Sequence, residues 1–352
     1  MPATNKNNKI MVAMSGGVDS AVCASLLRDN GYDVSCAVFV FSDAGEACVP
    51  AAQAACDSLG LPLTVLERKA LFEEHVAAPF RRTYCAGRTP NPCVVCNPFV
   101  KFRTLCEAAD TAGCAFIATG HYARVEQRDG VAVLRKAVSL ERDQSYMLYS
   151  LTQPQLSRLV FPLGELAKPQ VRETARRLGL AAADAPDSQE ICFIPDGDYP
   201  GYIHSRGLRG AQGRFLAPDG AVLGPHKGVE YYTIGQRRGL GIAYGTPVFV
   251  KEICENGDIR LGLSGEEFSR GMIVEQPVVN PIWREPLGGE FEVKVRSVAK
   301  PAPCFVEPLP GGTLRVEFKT PQRAPAPGQA AVFYDGEYIA AGGVIRQCFE
   351  SF

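Results

Sequence analysis

Along the first half of the chain, apolar runs alternate with stretches of helical periodicity. "KIMVAM" (9–14), "DVSCAVFVF" (33–41), "LPLTVLE" (61–67) and "CAFIATG" (114–120) are short, nearly continuous and rich in β-branched residues, the pattern of buried strands. Between them, helices are predicted over 18–30, 49–59 and 105–112. Gly31, Gly60 and Gly113 stand where each needs a left-handed closing residue. Strands alternating with helices predict a mainly parallel sheet covered on both faces. "RVEQRDGVAVLRK" (124–136) predicts a hairpin turning at Asp129-Gly130. A helix follows over 168–180, with Val171, Ala175, Leu178 and Leu180 on one face.

The texture changes near Gly201. Short alternating runs such as "FLAPDGAVLG", "VFVKEICENGDIRLGL", "FVEPLPGGTLRVEF" and "AVFYDGEYIAAGGVI" are divided by turn pairs, Asn256-Gly257 and Asp335-Gly336 among them. The expected fold is an α/β parallel-sheet, Rossmann-like N-terminal domain (1–200), a small β-rich central domain (201–272) and a C-terminal β-barrel (273–352). The break between the last two is placed near 272–281.

The 352 residues are enough for two or three domains. No run approaches twenty apolar residues, and the polar opening "MPATNKNNK" lacks a signal-peptide core, so no membrane and a cytoplasmic location are expected. Thirteen cysteines, an odd number, argue against a disulfide framework. A net charge of −1 gives no overall field for nucleic acid. Only local clusters remain: Arg81-Arg82, Arg135-Lys136, Arg237-Arg238, and Lys294 with Arg296 on one strand face.

The densest chemical signal is "SGGVDS" (Ser15–Ser20), set where a strand ends and a helix begins. Ligands of open α/β sheets bind along that edge. Gly16 and Gly17 let backbone N–H groups approach an anion, the serines add donors, and Asp19 suits Mg2+ beside phosphates. The spacing is not G-x-x-x-x-G-K-[ST], and no lysine stands where that motif needs one. The loop resembles the PP-loop of ATP pyrophosphatases, which cleave ATP between its α and β phosphates.

A second signal is "GRTPNPCVVCNPFVKF" (87–102), where Pro90 and Pro92 predict a rigid exposed loop carrying Cys93 and Cys96. A third is "DSQEICFIP" (187–195) with Cys192. Together with "ATGHYA", "DQSYMLY", "YYTIGQRRGLGI" and "APGQAAVFYDGEYIAAGGVI", these motifs resemble the bacterial tRNA-specific 2-thiouridylases over nearly the whole chain.

The resemblance implies ATP-dependent 2-thiolation of the wobble uridine of tRNAs for lysine, glutamate and glutamine: adenylation of O2, then sulfur transfer from a cysteine persulfide supplied by a sulfur-relay or cysteine desulfurase donor. By position, Cys96 matches the nucleophile and Cys192 the persulfide carrier. The nucleotide would meet Ala13, Met14, Ser15, Gly16, Gly17, Val18, Asp19, Ser20, Val40 and Gly120. Asn91, Pro92 and Cys93 match the segment that meets the target base. His121, Arg142, Asp143, Gln144, Arg296, Ser297 and Gln329 match tRNA-contacting positions. A nucleophilic thiolate calls for a lowered pKa at Cys96, and a loop that carries it to Cys192 would be mobile.

Cys93 stands where some family members have aspartate, and Pro98, Phe99 and Ser297 also depart from relatives. With three thiols, Cys93, Cys96 and Cys192 offer a second arrangement, ligands of a 4Fe-4S cluster. Two other classes fit parts of the sequence: a PP-loop ligase acting on a small molecule, and a zinc-stabilised RNA-binding protein.

Overall fold

The structure is a computed structural model and describes residues 7–180, 183, 191–283 and 285–350. The first six residues, and 187–190 ahead of Cys192, lie outside the described residues. The chain forms two compact units. One comprises Met1–Val76, Cys93–Asp196 and Glu337–Ile339, the other Ala77–Pro92, Gly197–Gly336 and Ala340–Phe352.

In the first unit β1 (Lys9–Ala13), α1 (Val18–Asp29), β2 (Asp33–Val40), α2 (Asp43–Glu46), α3 (Cys48–Leu59), β3 (Leu63–Glu67) and α4 (Lys69–Phe72) follow one another. After α5 (Ala78–Cys85), which belongs to the second unit, come α6 (Pro92–Cys96), α7 (Phe102–Thr111) and β4 (Phe116–Thr119). The hairpin β5 (Arg124–Arg128) and β6 (Val131–Arg135) then leads to α8 (Gln153–Leu156), β7 (Leu159–Val160) and α9 (Lys168–Arg177). Asp129 and Gly130 both take positive φ at the hairpin turn, as a two-residue loop that matches strand twist requires.

The sheet order is β3-β2-β1-β4-β7, all parallel. The order reverses between β1 and β4, and the crevice outside their carboxyl ends is where such sheets bind ligands. One core cluster joins Ile10, Val12 and Val38 of the sheet to Val22 of α1, Cys56 of α3 and Val171 of α9. Each large aliphatic side chain buried there contributes about 1.5–3 kcal/mol.

The segment around Cys93 and Cys96 is helical, not the expected rigid loop. Pro92 is the first residue of α6, a helical position where a missing N–H removes no intrahelical bond and the fixed φ of proline suits the helix. A π-helical turn, Asn97–Lys101, then joins α6 to α7.

In the second unit, α10 (Tyr199–Ser205) precedes β8 (Arg214–Leu216), β9 (Val222–Pro225), β10 (Val248–Ile253) and β11 (Ile259–Leu263), a sheet ordered β10-β11-β8-β9. Phe215, Tyr232, Val250, Ile259 and Leu261 form its core. β12 (Phe268–Val279), β13 (Gly289–Lys294), β14 (Ala302–Leu309), β15 (Thr313–Arg323), β16 (Ala330–Asp335) and β17 (Tyr338–Phe349) build a six-stranded barrel that β12–β17 pairing closes. Inward positions alternate along β14 and β15, with Cys304, Val306, Leu314, Val316 and Phe318 in the barrel core. The expected break at 272–281 differs from what is seen. β12 runs through it to Val279, and Gln276-Pro277 is absorbed as a bulge with Gln276 at positive φ.

Candidate active site at the carboxyl edge of the parallel sheet

α1 begins at Val18 with Gly17 as its N-cap and no side-chain cap, so its first N–H groups face outward without an intrahelical partner. Gly16 takes φ +79°, and a Cβ there would lie 2.6 Å from Ala51 Cβ, so only glycine fits this turn. Ser20 Oγ donates to Gly17 O (3.0 Å) and accepts from Ser15 N (3.1 Å), which ties the loop to its own helix. Met14 N donates to Ala37 O (2.8 Å). Gly120, just past β4, packs on the first turn of α1: a Cβ would sit 2.8 Å from the Asp19 carbonyl carbon. Val40 ends β2, and its carbonyl accepts from Arg68 N (3.1 Å). The strand-end residues, glycines and uncapped helix thus converge on one edge, a fit for the phosphates of ATP.

Asp19 is placed differently from the expected bare Mg2+ ligand. Lys168 Nζ donates to both its oxygens (2.9 and 2.8 Å), and the Tyr122 hydroxyl donates to Oδ1 (2.9 Å). These bonds leave one carboxylate lone pair, on Oδ2, for an incoming Mg2+.

Cys192 is fixed to the same edge by its neighbour. The Phe193 ring packs edge-on against Phe72 (5.1 Å), which stacks on Phe41 (5.6 Å), and Phe41 stacks on Phe39 of β2 (5.0 Å). Cys192 itself is exposed, and Cys96 is buried at 8% exposure. Both are free thiols. Charge on Cys192 or Cys93 acts on Cys96, and charge on Cys93 acts on Cys192, so the fold brings Cys192 near the Cys93–Cys96 pair, which lies far from it in sequence.

The expectation of a lowered Cys96 pKa is overturned. Burial pushes this thiol up to about 12, and the Lys101 ammonium and Lys101 N–H offset only part of that. Burial also raises Cys93, and raises Cys192 in spite of its exposed position because other groups crowd its sulfur. No three His, Cys, Asp or Glu side chains among the described residues are placed to hold a metal ion. A 4Fe-4S cluster takes each cysteine on a different iron and not on one shared ion.

His121 follows Gly120. Its Nδ1 bonds Thr119 Oγ1 (2.6 Å), and its ring stacks on Phe102 (6.0 Å). Burial, helped by Lys101, holds its pKa well below the ordinary histidine value. Gln144 brackets Tyr122 by accepting from its N–H (3.0 Å) and donating its own N–H to the Tyr122 carbonyl (2.8 Å). Asp143 accepts from Ala137 N, Ser145 N and Ser145 Oγ, which shapes a turn beside the exposed Arg142. Asn97, 2% exposed, donates to Met147 O (2.7 Å) and anchors the π-helical turn after Cys96.

Asn91, Pro92, Arg296, Ser297 and Gln329 belong to the second unit. There Gln329 Nε2 donates to the carbonyls of Thr89 and Pro90 (3.1 and 3.5 Å) and holds the chain that runs into half-buried Asn91 and buried Pro92. The basic clusters fare unequally. Arg296 is spent on the carbonyls of Ile234 and Ala324, Lys294 is buried, Arg81 bonds the Tyr202 hydroxyl, and Arg135 pairs with Glu126 and Glu337. Ser297 is half-buried, whereas Arg237 and Arg238 stay exposed.

A family model described as "tRNA methyl transferase HUP domain" matches residues 8–196. "tRNA methyl transferase PRC-barrel domain" matches 204–259 and "Aminomethyltransferase beta-barrel domain" 269–345. Proteins called "tRNA-specific 2-thiouridylase MnmA" from Carboxydothermus hydrogenoformans and Leptospira biflexa are each 42% identical to this chain. They span 96% and 97% of it and 98% and 94% of their own lengths. One from Clostridioides difficile is 40% identical over 97% of this chain and 99% of its own. The chain belongs to the tRNA-specific 2-thiouridylase family. The family model's description speaks of methyl transfer and the full-length relatives of thiolation. The neighbouring thiols of Cys93, Cys96 and Cys192 accord with the latter.

Within this thiouridylase chain, sequence reasoning missed Lys168, Tyr122 and the Phe72–Phe193 contact. A signal for Lys168 was present. A cation in the first turn of a helix opposes the helix dipole, so a lysine at the head of α9 calls for a specific anionic partner.

Proposed function

We propose that the chain is an ATP-dependent tRNA-uridine 2-sulfurtransferase acting on the wobble uridine of tRNAs for lysine, glutamate and glutamine. The observation that carries this reading is the Phe193–Phe72–Phe41 stack. It holds Cys192 to the sheet edge at which β1 ends in the glycine loop. Nucleotide chemistry and sulfur chemistry then share one crevice.

The Gly16–Ser20 backbone would hold the ATP phosphates, with Mg2+ carried in with them. Uridine O2 attacks the α-phosphorus and pyrophosphate leaves, which turns a poor leaving group into AMP. A persulfide on Cys192, loaded by a persulfide-bearing donor protein, places its outer sulfur on C2 as AMP departs. Cys96, once deprotonated, attacks the Cys192 sulfur. The sulfur–sulfur bond to the base breaks, a Cys96–Cys192 disulfide forms, and 2-thiouridine is released. Two equivalents of an external thiol, or one dithiol, then reduce this disulfide, restore both cysteines and leave as their own disulfide. The resting Cys96 is protonated at neutral pH because burial raises it, so its proton must be taken up by solvent or substrate at that step.

The test is anaerobic incubation with ATP, Mg2+, a persulfide source and unmodified tRNA, followed by mass spectrometry for 2-thiouridine. Product is expected with the wild type and none with Cys96→Ser or Cys192→Ser, while ATP binding persists in both. Full thiolation by either variant would remove that residue from the mechanism. Pyrophosphate release driven by a metabolite without tRNA would favour the small-molecule ligase.

A further inference from the structure

The glycine loop lacks the lysine that phosphate-binding loops of the G-x-x-x-x-G-K-[ST] kind carry in sequence. The fold brings one from 149 residues away. Lys168 opens α9, which packs against α1 through Val171 and Ala175. Its side chain is 7% exposed, and its ammonium bonds both oxygens of Asp19, a residue in the first turn of α1. The Tyr122 ring lies 5.9 Å from Nζ, and its hydroxyl shares Asp19 Oδ1, so the ammonium is aimed from a packed wall.

Two helix amino ends and a buried cation therefore meet at one place. Asp19 is partly open, with 32% of its side chain exposed. A lysine there is unfavourable both to the dipole of its own helix and through loss of water. A site with that much positive potential is built for an anion larger than one carboxylate.

We propose that Lys168 is the phosphate-binding lysine of this loop. It engages the β- and γ-phosphate oxygens of bound ATP, the group that departs as pyrophosphate, and shares its ammonium between them and Asp19. The inference rests on the ATP reading above and adds a residue to it. Charge grows on the departing pyrophosphate as its bond to the α phosphorus breaks, and a cation fixed against the β- and γ-phosphate oxygens stabilises that charge without reorganising.

The experiment is calorimetric binding of ATP, inorganic pyrophosphate and adenosine to the full-length chain without Mg2+. Lys168→Gln keeps a donor to Asp19 but removes the charge. It should weaken ATP and pyrophosphate about 10- to 100-fold, the scale of a charge-assisted hydrogen bond, and leave adenosine unchanged. Lys168→Arg should restore most of the loss. Equal weakening of adenosine and ATP would mark Lys168 as merely structural and overturn the proposal, as would unchanged ATP affinity.

Asp19→Asn supplies an arm that does not depend on Lys168→Gln folding. With the negative charge of Asp19 removed from the site, pyrophosphate should bind more tightly than in the wild type, and equal or weaker binding would overturn the proposal. If the wild type binds neither ATP nor pyrophosphate, the ATP reading falls and this inference with it. Binding by the wild type with indifferent variants removes only the role of Lys168.

Discussion

Gly120 stands against the backbone of Asp19 with no room for a methyl group, since a Cβ would reach 2.8 Å from the Asp19 carbonyl carbon and 2.9 Å from Ser20 N. The neighbour is helix backbone and cannot swing aside. Gly120→Ala should therefore destabilise the chain by about 1–3 kcal/mol. It should also weaken ATP by about tenfold or more through a displaced α1 amino end. Urea unfolding and calorimetry read the two effects, and a variant equal to wild type in both would contradict the packing account.

The buried thiol of Cys96 should be slow toward alkylation. With its pKa pushed up to about 12, it is a thiolate in only about one molecule in ten thousand at pH 8, against roughly a quarter for an ordinary thiol. Timed iodoacetamide labelling with peptide mass spectrometry should find Cys96 more than about a hundredfold slower than a small-molecule thiol. Rapid labelling of the resting chain would mean that the helical α6 does not keep Cys96 covered.

Phe193 is a test of placement apart from chemistry. Phe193→Ala removes the ring that packs on Phe72. It should cost about 3–5 kcal/mol in a well-packed site, and 2-thiouridine formation should fall further than ATP binding does. Equal losses in both would mean that Cys192 owes nothing to the aromatic stack.

His121 sets a pH dependence. Its folded pKa lies well below the ordinary value of 6.5 because burial disfavours the cation. The unfolded chain thus takes up a proton near pH 6.5 that the folded chain refuses. Stability from this residue is complete above about pH 6.5 and drains away as pH falls toward the folded pKa, by up to about 1.4 kcal/mol per pH unit. Urea midpoints of wild type and His121→Gln should converge between about pH 7.5 and about pH 5.5, and parallel trends would place the acid sensitivity elsewhere.

Much of the first unit was legible because its signals are local. The β1–α1 junction declares itself in six consecutive residues, and Gly31, Gly60 and Gly113 end helices where φ must be positive. Three features could not be read that way. Pro92 argues against a helix interior yet is at home in a first turn, and the packing of Cys93–Cys96 decides between the two. The pairing of β12 with β15 and β17 holds Gln276-Pro277 in a strand that looked like a linker. Lys168 meets Asp19, and Cys96 becomes buried, only through contacts between segments distant in sequence. Periodicity carries no information on such meetings.

The closure of the C-terminal barrel by β12 and β17 has a further result. A sheet with two ends offers rows of unsatisfied amides and carbonyls that other chains can extend, and a closed one does not. Whatever molecule docks on the barrel wall must be met by side chains and connecting loops, so its recognition can be rewritten residue by residue without disturbing the strands beneath.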